Sequence, residues 1–226
     1  EFVMAASSRL ERACIQCSSP KYHARQIVVA GLGMEMTDFL LCLDRELTKE
    51  ETGKLEHMVS RRLSGEPFQY IVGYEWFWEH KFDVGPGVLI PRKETEHLVE
   101  ILLEQLGPDR KKIVELGAGC GNIGISALLA RPEWEWHAFE KNPDSVAYVK
   151  KNLDRCLFQQ ARYHLYQGDF FTKVRRLIPC DAVVSNPPYV AMAALKTLAK
   201  EIGFEPPMAL IGGENGWELI SDLIVI

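Results

Sequence analysis

No apolar run in this sequence approaches the ~18 residues that a membrane-spanning helix needs. The longest candidate, Ile27 to Met34, is interrupted by Gly31 and Gly33, so a spanning helix is excluded. Excess positive charge is missing too: 26 Lys and Arg stand against 31 Asp and Glu, a formal net charge of -5. Coating duplex nucleic acid requires a basic surface that neutralises phosphates, so that role is disfavoured, although a local basic patch stays open. There is no low-complexity tract and no internal repeat, and with 47% hydrophobic residues the composition excludes disorder, collagen and coiled coil. Cysteine is sparse and scattered. Cys14, Cys17, Cys42, Cys120, Cys156 and Cys180 do not form a disulfide framework in a chain of 226 residues, so a reducing compartment is expected, the cytoplasm or an organelle matrix. Cys14 and Cys17 make a CxxC with no second pair and no HxxxH, so zinc lacks ligands and no metal is expected. HExxH and GxSxG are absent, which leaves hydrolase and metalloenzyme readings without support. Glu1, Phe2 and Val3 precede Met4 without a signal peptide's apolar core.

What is present fits one or two domains of ~100 to 200 residues. After Ser19-Pro20, the residues Ala24, Ile27, Val28, Gly31 and Leu32 recur at helical spacing, and Leu55, Met58, Val59 and Leu63 repeat it. A small all-helical module is therefore expected from about Ser7 to Leu63. Gln69 to Val88 is rich in Tyr, Trp, Phe, Val and Ile and punctuated by Gly73, Gly85, Pro86 and Gly87, which predicts a β-hairpin connector. After Pro91 a helix carrying Leu98, Ile101, Leu102 and Leu106 should have Glu94 and Glu96 in its first turn, where negative charge suits the helix dipole. From Lys111 the pattern alternates: KKIVEL, helix Asn122 to Ala130, WEWHAFE, helix Ser145 to Leu153, RYHLYQ, DAVVSN. Such alternation predicts a parallel, doubly wound α/β sheet with ligands at the carboxyl ends of its strands.

Strand KKIVEL runs into Gly117, Ala118, Gly119, Cys120, Gly121 and on to Gly124. Glycines there let the backbone turn tightly and approach a ligand. Gly119, Gly121 and Gly124 satisfy GxGxxG, a weak signal by itself, and P-loop chemistry fails because Ile125 and Ser126 stand where Lys and its hydroxyl partner belong. Glu140 closes the second strand, where a carboxylate can accept both ribose hydroxyls of a nucleoside cofactor. An exposed Glu140–Lys141 ion pair is the plainer alternative. The third strand ends in Gly168, Asp169, Phe170 and Phe171, an aromatic face and a carboxylate beside the expected adenine, with ordinary loop and core residues as the equal alternative.

The fourth strand ends in Ser185-Asn186-Pro187-Pro188-Tyr189. Two prolines cannot continue a parallel strand, so the chain leaves the sheet there with Asn186 at the ligand edge. The Asn186 side-chain oxygen and the Pro187 carbonyl can accept both hydrogens of a planar NH2 group, and Tyr189 can cover its face. That cradle selects an amide or arylamine nitrogen, whose lone pair is delocalised and poorly nucleophilic. Holding it in line with an electrophilic methyl can lower the barrier by ~7 to 11 kcal/mol, and carbonyl acceptors stabilise the charge that grows on nitrogen. A sulfonium donor such as S-adenosylmethionine suits this chemistry.

With these residues in view, the sequence resembles the HemK/PrmC family, S-adenosylmethionine-dependent methyltransferases that modify the glutamine of the GGQ motif in peptide chain release factors. The likeness runs from about Ser19 to Ile220, through SPKYHARQIVVAGLG, RRLSGEPFQYIVG, VLIPRKETEHLVE, VELGAGCGNIGISALLA, SNPPYV and FEPPMALIGGENGWELI. It implies a Rossmann-like methyltransferase fold behind a helical release-factor-recognition domain (1–66) and a β-hairpin linker (67–91), with the methyltransferase domain at 92–226. It also implies that Gly117, Ala118, Gly119, Cys120 and Gly121 hold the methionine end of the cofactor, Glu140 the ribose and Phe170 the adenine. Asn186, Pro187, Pro188 and Tyr189 would hold the substrate glutamine, with Asn186, Pro187 and Tyr189 carrying catalysis and Asn186 also bordering the cofactor. The family usually has Asp at Glu140, Trp at Phe170 and Pro at Lys93. Its members continue past the helix around Trp217 with further strands, so the domain is expected to lack its C-terminal strands and to leave DAVVSN as an apolar edge. A monomer without direct nucleic-acid or membrane contact is expected. Methylation of the exocyclic amine of adenine is the alternative use of the same cradle, and it would need a basic groove or a base-flipping element. A nucleotide-binding or NAD-dependent protein would leave Asn186 to Tyr189 unexplained.

Overall fold

A computed structural model describes residues 1–13, 19–156, 162–171 and 173–224. Cys14 and Cys17 therefore lie outside the described residues, as do Val225 and Ile226. One compact unit comprises Glu1–Gly73 with Lys200–Phe204, and the other Tyr74–Ala199 with Glu205–Ile226.

The first unit holds α1 (Phe2–Arg12), α2 (Pro20–Leu32), α3 (Met36–Leu41), α4 (Lys49–Leu63) and α5 (Phe68–Val72). Ser19 caps α2 by accepting the Tyr22 N–H, and Thr48 opens α4 in a reciprocal capping box with Glu51. The helical spacing identified the buried faces correctly: Ala24, Ile27 and Val28 of α2 meet Leu55, Met58 and Val59 of α4, joined by Leu10 and Phe39. A β-carbon on Gly31 would come 2.5 Å from Leu55 Cδ2, so the two helices approach through that glycine. Arg62 is fully buried here; its Nη1 donates to the Glu66 carbonyl at 3.0 Å and its Nη2 to Glu201 at 2.5 Å.

The hairpin is shorter than the aromatic-rich stretch suggested. Only β1 (Tyr74–Phe77) and β2 (His80–Asp83) pair, while Phe68–Val72 is the helix α5, bounded by Pro67 and by Gly73 at φ 85°. Burying Tyr70 and Ile71 overrides the strand preference of those side chains. The two-residue turn is Trp78 and Glu79, at φ 49° and 63°, a left-handed pair usually given to Asn-Gly. Glu96 Oε1 accepts the Trp78 N–H at 2.9 Å. Asp83 and Asn152 exchange bonds, 2.7 Å from the Asp83 N–H and 3.1 Å to its carbonyl.

After a 3-10 turn at Lys93–Thr95, α6 (Glu96–Leu106) leads into β3 (Lys112–Leu116), α7 (Asn122–Ala130), β4 (Glu135–Glu140), α8 (Pro143–Cys156), β5 (Tyr163–Gln167) and β6 (Ala182–Ser185). These four strands are all parallel in the order β5-β4-β3-β6. The chain winds outward from β3 to β5 and then crosses to β6, so the order reverses between β3 and β6. Among the described residues β6 is an edge strand, with Val183 51% exposed. A separate pair, β7 (Val190–Ala191) and β8 (Ile211–Gly213), precedes α9 (Glu218–Ile224). Among the described residues no helix is long and apolar enough to cross a membrane.

Candidate functional site

Because β3 and β6 are neighbours at the point of reversal, the loops leaving them open side by side. Leu116 pairs with Ser185 in register, and the Ser185 hydroxyl donates to the Leu116 carbonyl at 2.7 Å, which fixes the two strand ends together. Above them lies a cavity of about 460 Å³, lined by Gly117, Gly119, Glu140, Phe170, Asn186, Pro187 and Pro188, among others. Its size suits a small-molecule ligand. Four separate loops, each following a strand, thus deliver the sequence candidates to one place. Ala118, Cys120, Gly121 and Tyr189 do not line it.

Gly117, Gly119 and Gly121 have φ of 79°, 57° and 85°, where a side chain is strained. A β-carbon on Gly117 or Gly119 would meet nothing within 4 Å, so the loop there is open toward a ligand. Gly124 differs: its β-carbon would come 2.3 Å from Trp136 Nε1, which gives it a packing role between α7 and β4. Glu140 is buried. Its Oε2 accepts the Gly119 N–H and its Oε1 the Asn142 N–H, both at 2.8 Å, so it shapes the glycine loop as well as facing the cavity. Burial raises its carboxyl above the ordinary value, against the lowering pull of the Asn142, Gly119 and Lys141 N–H groups. The exposed Glu140–Lys141 pair does not form; Lys141 faces Asp169 at 3.8 Å. Phe170 and Phe171 stand with ring centroids 4.3 Å apart and present an aromatic wall.

Asn186 is oriented by a residue that sequence reading left out. Its Nδ2 donates to Thr95 Oγ1 at 3.2 Å, which turns Oδ1 the other way as an acceptor. Thr95 is itself buried and belongs to the stretch IPRKETE. The same stretch is tied to FEPP: buried Glu205 accepts the Ile90 N–H at 3.0 Å and pairs with Arg92 at 2.5 Å. The backbone of Pro188 and Tyr189 is clasped by two glycines. A β-carbon on Gly212 would lie 2.4 Å from the Pro188 carbonyl oxygen, and one on Gly216 2.4 Å from that of Tyr189. Pro187 and Pro188 wall the cavity, whereas the Tyr189 ring is 64% exposed. The sequence signal for Thr95, Glu205, Gly212 and Gly216 is their place in VLIPRKETEHLVE and FEPPMALIGGENGWELI, stretches that carry the family resemblance without showing what each residue does.

Beneath the glycine loop, Glu115 is fully buried and its Oε2 accepts Trp136 Nε1–H at 2.7 Å. Burial pushes its carboxyl up to about 8 and the Cys120 thiol up to about 12, which favours the protonated form of both. Cys120 is thus no nucleophile; its carbonyl accepts from Asn152 Nδ2 at 3.0 Å. Sequence spacing gave no metal-ligand set, yet the pairing of β4 with β5 brings Glu135, His137 and His164 together.

Two families match the sequence: the PrmC N-terminal domain over residues 1–73 and the Methyltransferase small domain over residues 80–207. A release factor glutamine methyltransferase of Nitratidesulfovibrio vulgaris is 34% identical, over 97% of this chain and 74% of that protein. One from Moorella thermoacetica is 35% identical, over 91% of this chain and 72% of its own length. One from Escherichia coli (strain K12) is 31% identical, over 91% and 73%. Among solved structures, the catalytic domain of hMettl16 in complex with an RNA hairpin matches with a TM-score of 0.48 at 15% identity, covering 64% of this chain and 55% of that one. A precorrin-6Y C5,15-methyltransferase from Geobacter metallireducens matches at 0.40 and 19%, covering 46% and 52%.

Proposed function

The chain belongs to the release factor glutamine methyltransferase family, and on that premise we propose that it transfers a methyl group from S-adenosylmethionine to the side-chain amide nitrogen of the GGQ glutamine in a peptide chain release factor. The observation that carries this reading is the Asn186 amide. Thr95 takes its NH2, so Oδ1 is left to accept from a substrate NH2 at a cavity shared with the glycine loop and Glu140.

The cavity residues fit the cofactor. Gly117 to Gly121 would hold its methionine end, Glu140 the ribose and Phe170 the adenine, with Ala118, Cys120 and Gly121 contributing through the course of the loop rather than as cavity lining. When bound, the cofactor supplies a methyl on a sulfonium centre, and neutral thioether is the leaving group. Asn186 and the Pro187 carbonyl fix the plane of the substrate amide by accepting its two hydrogens, and they stabilise the positive charge that builds on nitrogen until one of those hydrogens leaves to solvent as a proton. Pro187 and Pro188 hold that geometry because their rings restrict the backbone. Tyr189 is exposed where a substrate arriving from solvent would meet its ring.

We assign release-factor recognition to the helical region 1–66, the linker to 67–91 and methyl transfer to 92–226. The change from one matched family to the other, between residues 73 and 80, falls inside the proposed linker. A release-factor partner would put the protein in the cytoplasm or an organelle matrix, where translation runs.

Incubation with a release factor and S-adenosylmethionine should methylate the GGQ glutamine, as read by mass spectrometry, and a glutamine-to-alanine control should stay unmodified. Asn186→Ala should abolish turnover while cofactor binding persists, and Glu140→Ala should raise the cofactor dissociation constant. Labelling of adenine in DNA in place of the release factor would overturn the substrate assignment.

A further inference from the structure

The opposite end of the sheet carries a second cluster of chemistry-bearing side chains. Glu135 opens β4, His137 lies two residues on and so shares its face, and His164 of β5 pairs with His137 in register. Glu135 Oε1 is 3.1 Å from His137 Nε2 and 3.6 Å from His164 Nε2, and the three ligand atoms all lie within 4.8 Å of one another. A tetrahedral ion bound at ~2.0 to 2.2 Å holds its ligand atoms about 3.3 to 3.5 Å apart, so the two distances to Glu135 bracket what an ion requires.

The surroundings complete the arrangement. His137 Nδ1 is 3.1 Å from the Tyr166 hydroxyl, which can accept its N–H and leave the Nε2 lone pair toward Glu135. Arg110 binds Glu135 through the other oxygen, Oε2, at 3.2 Å, so Oε1 stays turned to the imidazoles. The two imidazole rings stack with centroids 4.7 Å apart; the His164 side chain is 41% exposed and can rotate to close the remaining gap.

We propose that Glu135, His137 and His164 form a binding site for a divalent transition ion of the zinc type, with solvent in the fourth position. Two imidazoles and one carboxylate suit zinc and not magnesium or calcium, which take oxygen ligands. Glu140 ends the strand that Glu135 begins, five residues or ~17 Å away, so the ion would stitch β4 to β5 without entering the methyl-transfer cavity.

The test uses the full chain without a polyhistidine tag. Calorimetric titration with zinc chloride should show one site and thermal melting should shift upward, reversed by EDTA, while magnesium chloride does neither. His164→Ala, at a half-exposed position that tolerates truncation, and Glu135→Gln should each weaken zinc by more than the ~10-fold expected for Tyr166→Phe, which removes only an outer partner. Cobalt substitution should give visible absorption without the thiolate charge-transfer band of a cysteine site. Zinc binding that is unchanged in His164→Ala, a thiolate band, or no saturable binding at all would overturn the assignment.

Discussion

Gly53 and Gly124 are both helix-interior glycines with ordinary right-handed backbone, yet replacing them by alanine should move stability in opposite directions. Alanine in a helix is favoured over glycine by ~0.8 to 1 kcal/mol. Gly53, in α4, has nothing within 4 Å of its would-be β-carbon, so Gly53→Ala should gain most of that amount. At Gly124 the β-carbon would meet Trp136 at Nε1 (2.3 Å), Cε2 (2.7 Å) and Cδ1 (2.8 Å). Trp136 is fully buried and cannot swing out, so overpacking costs ~1 to 3 kcal/mol. Any shift of the ring also stretches its bond to Glu115, and a buried acceptor left unpaired costs a further ~1 to 3 kcal/mol. After the propensity gain is subtracted, Gly124→Ala should destabilise by ~1 to 5 kcal/mol. Urea unfolding measures both. All five tryptophans lie in the unit that contains Gly124, so their fluorescence reports that variant, while circular dichroism at the helical band reports Gly53→Ala. A Gly124→Ala protein as stable as wild type but impaired in cofactor binding would refute the packing account and restore a ligand-approach role for the third glycine of GxGxxG.

Thr95→Val keeps shape but removes the hydroxyl that Asn186 donates to; turnover should fall ~10- to 100-fold at unchanged cofactor affinity, with Thr95→Ser restoring it. Equal turnover in the valine variant would show that Asn186 is oriented by something else. Glu115 should make the fold pH-dependent. Its carboxyl is held at about 8 against an ordinary 4.5, so the folded chain keeps a proton that the unfolded chain releases. That stabilisation is complete below about 4.5 and is lost as pH rises to about 8, with a slope of up to ~1.4 kcal/mol per pH unit. Glu115→Gln should therefore gain on wild type across that window, and parallel stability curves would contradict it. Glu201→Ala leaves the buried Arg62 guanidinium without its carboxylate; because Glu201 is itself 30% exposed, the loss should sit at or below the low end of the ~3 to 5 kcal/mol for breaking a buried pair. An unchanged denaturation midpoint for the helical unit would show that Arg62 is satisfied without it.

Features that depend on neighbours in sequence were legible. Helix α7 spans the expected Asn122–Ala130, because the glycine turn before it and the apolar run within it are local signals. The parallel sheet follows from the alternation of strands and helices, whereas its switch point, set by β6 pairing with β3, appears only in the structure. Features that depend on distant residues were not. Thr95 meets Asn186 across 91 positions, and a window along the chain carries no trace of that pairing. Trp78 and Glu79 form a left-handed turn without the glycine that would have announced it. Tyr70 and Ile71 prefer strands and are helical because a core holds them. Glu135, His137 and His164 look like ordinary strand residues until two strands are set in register.

The bond from Ile90 to Glu205 closes a loop of 115 positions. Loop-closure entropy delays so remote a contact relative to β3 and β4, whose glycine loop and Glu140 meet across only 21 positions. A refolding chain should therefore recover cofactor affinity before it recovers turnover. On the proposed function the same order is expected during synthesis: the glycine loop and Glu140 can meet while the Ile90–Glu205 bond still waits for residue 205 to emerge and fold back.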